Sequence, residues 1–321
     1  MSNNINGDKL QEAIDYYMAH GEKDTCDHFG FKTETMSRYL REARLRGLIG
    51  KDVNKIMRDI REQYTDDELK AISKGGRLIP GVANIPIIDF EGKRIRVGHI
   101  SDTHVGSKYF EENRLYQAYD EFRKESVDFI THSGDVTEGM SNRPGHIYEL
   151  DQLGYAQQKD KSVEVFGQWT ETDIYAIDGN HDRWFMKGSG AKVVEDISRE
   201  LDNFHFIGHD QGDISLKGKA TMKLWHGEDG NSYALSYRLQ KILESMSGGE
   251  KPNVLIAGHV HKYVNIFERN VYAIGVGTMQ RQTPWMRGKR LAAHVGFCIA
   301  DYWINDKGLA KARETWYPFY T

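Results

Sequence analysis

Two hydrophobic rhythms divide the chain. Residues 9–63 carry no proline and read as helices, with Met36, Tyr39 and Leu40 giving one of them a buried face. Past the Gly75, Gly76, Pro80, Pro86 stretch the rhythm changes. Short apolar runs then alternate with polar helical stretches, at Arg94–Ile100, Phe129–His132, Ile174–Ile177, Met222–Trp225 and Val254–Ala257. This order predicts an α/β domain built around a buried sheet over 94–321, a linker over 76–93 and a small all-α domain over 1–75. No repeat or low-complexity tract interrupts it.

Composition narrows the class. The 321 residues, 39% hydrophobic and 28% charged, suit one medium catalytic domain with a small appendage and exclude a disordered or fibrous chain. Two cysteines, Cys26 and Cys298, cannot build a multi-bridge framework, which points to a reducing, cytoplasmic setting. The first eight residues lack a signal-peptide pattern, and no apolar run approaches the roughly 18 residues of a membrane span, so no membrane partner is expected. A net charge of −4 gives no polyanion-binding field overall. The local exception is residues 30–61, where nine Lys or Arg face four acidic residues.

That basic stretch overlaps a turn. Cys26 takes a small-residue position, Phe29-Gly30-Phe31 makes an apolar-Gly-apolar turn, and a helix from about Thr33 to Arg46 follows. The spacing resembles helix-turn-helix DNA-binding domains, in which Gly30 would serve the tight turn and the following helix would enter the major groove. The resemblance implies contacts from Lys32, Thr33, Thr35, Ser37, Arg38 and Arg41, the last two to phosphates. A protein-binding module, or a plain solvated face, accounts for the same residues.

The chemistry lies beyond residue 94, where a motif follows each of the five runs. Asp102 and His104 stand in Ser101-Asp102-Thr103-His104, and Asp135 follows Gly134. Asn180 and His181 stand in Gly179-Asn180-His181-Asp182, His226 precedes Gly227, and His259 and His261 lie in Gly258-His259-Val260-His261. Ligands of open α/β sheets collect at the carboxyl ends of strands, so five such loops can converge. Oxygen and nitrogen donors without a thiolate suit Mn²⁺ first, with Zn²⁺ or Fe as alternatives.

In order and completeness the pattern resembles the calcineurin-like metallophosphoesterases, whose motifs run D-x-H, G-D, G-N-H-[DE], H and G-H-x-H. The resemblance implies a β-sandwich flanked by helices and two divalent ions. Asp102, His104, Asp135 and His261 would hold one, and Asp135, Asn180, His226 and His259 the other. Such an ion pair clamps the attacking and leaving oxygens of an in-line displacement. In similar enzymes the histidine corresponding to His181 protonates the leaving oxygen or stabilises the transition state, and Glu138 stands where relatives carry a carboxylate that orients it.

The substrate follows from what surrounds these motifs. The phosphoprotein phosphatases extend the second motif as G-D-x-V-D-R-G, whereas this chain reads Gly134-Asp135-Val136-Thr137-Glu138-Gly139 and lacks the clamping Arg. The motifs look closer to the double-strand-break-repair exonucleases and neighbouring phosphodiesterases. Arg143, Arg183, Trp285 and Arg287 are candidate substrate contacts, mixing cations with an aromatic as single-stranded nucleic acid requires. The expectation is a DNA nuclease, exonuclease-like, positioned by the N-terminal domain, with a homo-oligomer left open. Its rival is a phosphatase or phosphodiesterase for small nucleotides or phosphoproteins, with the helical domain making protein contacts.

Overall fold

A computed structural model describes residues 7–46, 85–228, 234–246 and 251–320. The chain divides into two compact units, Met1–Leu69 and Lys70–Thr321. The expected domain boundary near 75, the linker over 76–84 and the basic residues Lys51, Lys55, Arg58 and Arg61 lie outside the described residues.

In the first unit, helix α1 (Gly7–Phe29) breaks at Gly21, whose φ of 82° and ψ of 176° are not helical. Gly30 then takes a φ of 67°, which a glycine adopts without a Cβ penalty, and helix α2 (Thr33–Leu45) follows. The Phe31 N–H donates to the Cys26 carbonyl at 2.8 Å and closes the turn. Leu10 and Ile14 of α1 meet Met36, Leu40 and Ala43 of α2, helical spacings that bury one stripe of each helix. Lys32, Thr33, Ser37, Arg38 and Arg41 are left exposed, and Thr35 half-buried.

The second unit is a sandwich of two six-stranded sheets. One has the order β12-β11-β2-β3-β4-β5, where β2 is Arg94–Ile100, β3 Phe129–Ser133, β4 Ile174–Asp178, β5 Phe204–His209, β11 Gly296–Asn305 and β12 Gly308–Pro318. The other has the order β1-β6-β7-β8-β10-β9, from β1 (Ile87–Ile88), β6 (Gln211–Leu216), β7 (Ala220–Trp225), β8 (Val254–Ala257), β9 (Tyr263–Glu268) and β10 (Val271–Val276). Alternation along the strands fills two kinds of core. Ile95, Val97 and Ile177 meet Ile214, Leu224 and Ile256 between the sheets. On the opposite face of the first sheet, Ile100 and Ile130 pack on Leu115, Phe122, Phe166 and Ile197 of three helices. Helix Tyr237–Ser245 covers the outer face of the second sheet through Leu239 and Leu243. The layers are therefore helix, sheet, sheet, helix, the αββα architecture implied by the resemblance.

Two expectations need correction. The linker was expected to run to residue 93, but β1 pairs in parallel with β6, Ile87 opposite Ser215. A two-residue strand next to Pro86 carries too little alternation to show in the sequence. The five apolar runs are also fewer than the strands present: of the others, β9 and β12 mix polar with apolar positions and are supported by antiparallel neighbours, whereas β10 and β11 are largely buried. No helix among the described residues is long and apolar enough to cross a membrane.

Candidate metal centre

β2, β3 and β4 are parallel neighbours in one sheet, as are β7 and β8 in the other. The five motifs leave the carboxyl ends of these strands. Five of their non-glycine residues turn into the left-handed region there: Asp102 (φ 51°), His104 (50°), Asp135 (50°), His259 (79°) and His261 (54°). Such backbone costs on the order of 1–3 kcal/mol per residue and gathers at functional sites, where surrounding structure enforces it. Two glycines permit the crowding. A Cβ on Gly179 would collide with the Asp135 carboxylate, and one on Gly258 with Ser101 Oγ and the Asp102 carboxylate.

The side chains converge as two groups sharing Asp135. In the first, His104 Nε2 lies 3.0 Å from His261 Nε2, and His261 Nε2 lies 3.2 Å from Asp102 Oδ1. Asp135 Oδ2 stands 3.7 Å from His104 Nε2. In the second, Asp135 Oδ2 is 3.1 Å from His226 Nε2, which is 3.2 Å from Asn180 Oδ1, itself 2.9 Å from His259 Nδ1. Tautomers follow from the partners. His226 Nδ1 faces the Ser133 carbonyl at 2.7 Å, which can only accept, so the proton sits there and leaves the Nε2 lone pair directed inward.

These residues fit a pair of divalent ions. Donor atoms around one ion with bonds of about 2.1 Å stand roughly 3.0–3.4 Å apart, and the separations in the two groups, from 2.9 to 3.7 Å, lie close to that. Two ring nitrogens facing each other at 3.0 Å, with His261 Nδ1 buried and unpaired, also lack a full set of protein partners. Asp102, His104, Asp135 and His261 would hold one ion, and Asp135, Asn180, His226 and His259 the other.

Protons do part of the cations' work when the ions are removed. Burial opposes the charged form of His104, but Glu138, Asp135 and Asp102 outweigh it and push the ring up to about 9. His226 is also pushed up to about 9 against its burial, chiefly by Asp135. Metal must displace these protons, so apparent affinity should rise with pH until about pH 9. Calorimetric titration of metal-stripped protein near pH 7.5, in buffers of differing ionisation enthalpy, should show release of about one to two protons. No release would contradict this ligand set.

The surrounding scaffold was only partly visible in the sequence. Asp182, noted there only as part of its motif, accepts from the Val136, Thr137 and Gly179 N–H groups and from Thr137 Oγ1 at 2.7–3.1 Å. It thereby ties the second motif to the third. Arg238, from the covering helix, donates to the carbonyls of Gly258 and His226 and links the fourth motif to the fifth. No local pattern marked it, since its partners come from distant loops.

A cavity of about 350 Å³ opens over the ligands. His104, Asp135, Asn180, His259 and His261 line one part, and Trp184, Val260, Trp285, Met286 and Leu291 much of the rest. His181 lines it as well. Its Nδ1 donates to the Glu138 carbonyl at 2.8 Å and its ring packs on Trp184 with centroids 3.9 Å apart, leaving Nε2 to meet a substrate. Burial holds this imidazole below its ordinary value, so neutral is the resting form.

The expected substrate contacts separate. Arg143 and Trp285 line the cavity, with the guanidinium over the indole at 5.5 Å and paired to Glu149 at 2.6 Å. Arg183 does not: it is buried behind the third motif and paired with Asp178, Asp210 and Glu228. A helix begins at Asp182 and carries its neighbour's side chain off the cavity side. Arg287 is exposed on helix Pro284–Gly288, where Trp285 and Met286 take the positions lining the cavity. Glu138 also differs from expectation, for its carboxylate stands 3.8 Å from His181 Nδ1 and its carbonyl makes the bond instead. The Val105–Thr137 bridge places the carboxylate beside His104.

Residues 95–296 match the family model described as the calcineurin-like phosphoesterase superfamily domain. The chain belongs to this superfamily. It is similar to the DNA polymerase II small subunit of Methanothermobacter thermautotrophicus, 24% identical over 282 residues, covering 70% of this chain and 57% of that protein. It is also similar to the DNA polymerase II small subunit of Halobacterium salinarum, at 22% over 241 residues, 63% of this chain and 47% of that one. The chain thus spans about half the length of the curated relatives it matches. Among solved structures, one titled as a novel archaeal phosphodiesterase aligns over 70% of this chain and 100% of its own, with 19% identity and a TM-score of 0.41.

Proposed function

We propose that the protein is a two-metal phosphodiesterase that hydrolyses nucleic acid, acting as a DNA nuclease of exonuclease type. The observation that carries the reading is the cavity: phosphoester chemistry on one side, and an arginine stacked on a tryptophan on the other. That wall suits a base and its phosphate. Similarity to proteins named as DNA polymerase subunits supports DNA as the substrate. Mn²⁺ is the proposed ion, from the oxygen and nitrogen donor set, and the cytoplasm the proposed location.

When bound, the ions supply Lewis-acid stabilisation of charge developing at phosphorus. The chain's residues do the rest. His181 Nε2, protonated from solvent as the phosphate anion approaches, donates that proton to the leaving oxygen as its bond to phosphorus breaks. Arg143 balances a neighbouring phosphate, and Trp184 and Trp285 keep water from the non-reacting part of the substrate. Lys32, Thr33, Thr35, Ser37, Arg38 and Arg41 of the first unit would add sequence-independent grip on longer DNA.

The test uses metal-stripped protein restored with Mn²⁺, offered single- and double-stranded DNA, a phosphopeptide and bis-p-nitrophenyl phosphate. Cleavage of DNA, absent without the ion and steeply weakened by salt, is the expected result. Removal of residues 1–75 should raise KM on long DNA and leave the small diester unaffected. The cavity's volume favours one second reading, a diesterase or phosphatase for free nucleotides. Salt-insensitive turnover of small substrates alone would establish it and overturn the nuclease.

A further inference from the structure

The Glu138 carboxylate is buried, and three side chains converge on it. Oε1 faces His146 Nε2 at 2.9 Å, and Oε2 accepts from Gln280 Nε2 at 2.7 Å. Oε2 also stands 3.0 Å from His104 Nδ1, which meets it off the N–H axis, an electrostatic contact more than a straight hydrogen bond. The proton positions follow. His146 Nδ1 accepts the Ser141 N–H at 3.2 Å, so its Nε2 carries the hydrogen directed at Glu138. The carboxylate accepts from His146 and Gln280 and draws positive charge on His104 toward Nδ1. A proton kept at His104 Nδ1 by the facing carboxylate would leave the Nε2 lone pair for a metal on the side of His261 and Asp135.

We infer that Glu138, held by Gln280 and His146, is a positioning residue for the metal ligand His104. The inference rests on the two-metal reading of the site. A carboxylate behind a ligating histidine fixes its tautomer and ring orientation and raises its basicity. The same carboxylate anchors a substrate-facing segment. His146 belongs to the turn His146–Glu149, while Ser141, Arg143 and Glu149 of the surrounding loop line the cavity. Gln280 reaches Glu138 from the segment after β10 and also donates to Ser107 at 2.9 Å, so the cluster joins three loops. His181 takes only the backbone carbonyl of the residue, which a side-chain substitution leaves in place.

The test is calorimetric titration of Mn²⁺ into metal-stripped full-length protein, comparing wild type with Glu138→Gln. Roughly 10- to 100-fold weaker binding of one ion is expected, the other staying within about threefold of wild type. The thermal melt of the metal-stripped protein should fall, because the buried His104 loses its carboxylate partner, and Glu138→Asp should recover part of the lost affinity. Both ions bound as tightly as in wild type would overturn the inference. Gln280→Ala leaves the carboxylate in place and serves if Glu138→Gln does not fold. It should weaken the same ion about three- to tenfold, as loss of one supporting contact, and unchanged affinity would overturn the inference by itself. Failure of the wild type to bind any ion in this titration would instead overturn the two-metal reading.

Discussion

Asp135→Ala is expected to reduce Mn²⁺-dependent turnover at least about a thousandfold, roughly 4 kcal/mol of transition-state stabilisation, and to leave no more than one tightly bound ion per chain. The carboxylate is the only one shared by the two groups: Oδ2 stands near both His104 Nε2 and His226 Nε2. Its other oxygen accepts the His181 N–H at 2.9 Å, so the substitution also loosens the third motif. A structural cost follows. Asp135 is buried and held well below the usual carboxylate range despite that burial, chiefly by His226, so its removal strands positive charge. Breaking a buried pair in this way costs on the order of 3–5 kcal/mol. Asp135→Asn separates the effects, since it keeps the shape and an acceptor for His181 while removing the charge. It should melt closer to wild type yet show the same loss of metal and activity. Metal analysis after gel filtration, a thermal melt and turnover on bis-p-nitrophenyl phosphate decide the matter. Two retained ions with more than a tenth of wild-type activity would contradict the bridging role.

His181→Ala should behave differently, keeping both ions and the fold while kcat on DNA falls about 10²- to 10⁴-fold. The ring is held by the Glu138 carbonyl, by packing on Trp184 and by an edge-on contact with His104, aromatic contacts worth about 0.5–1.5 kcal/mol each, so stability should fall modestly. The role of acid can be read from the leaving group. p-Nitrophenolate needs little protonation and the alkoxide of a DNA strand needs it fully. The loss on bis-p-nitrophenyl phosphate should therefore be at least about tenfold smaller than on DNA. Equal losses on both would show that His181 stabilises the transition state without transferring a proton, and full activity on DNA would remove it from the mechanism.

The ligand-bearing motifs could be read because each follows a strand and carries its chemistry within a few residues. Asp102 and His104, or His259 and His261, are placed by one short turn, and the left-handed backbone that aims them is local. The groups that hold those turns together were harder to see. Asp182 reaches back 45 residues to Thr137, Gln280 reaches 142 residues to Glu138, and Arg238 spans two loops. Their partners are chosen by the packing of two sheets, and no spacing along the chain encodes that. Arg183 shows the opposite error. Next to a motif it reads as a substrate contact, yet its helix turns it toward Asp178, Asp210 and Glu228.

By itself, the sequence determined an α/β class and the order of the motifs, because strand periodicity and residue type are properties of a few neighbouring residues, and the resemblance those motifs carry implied the αββα sandwich and a pair of divalent ions. The tertiary structure decided which lone pairs face which, that the Glu138 carboxylate serves His104 and its carbonyl serves His181, and which arginine meets the cavity. Those outcomes depend on distances between segments far apart in the chain, fixed only when the two sheets close on their common core.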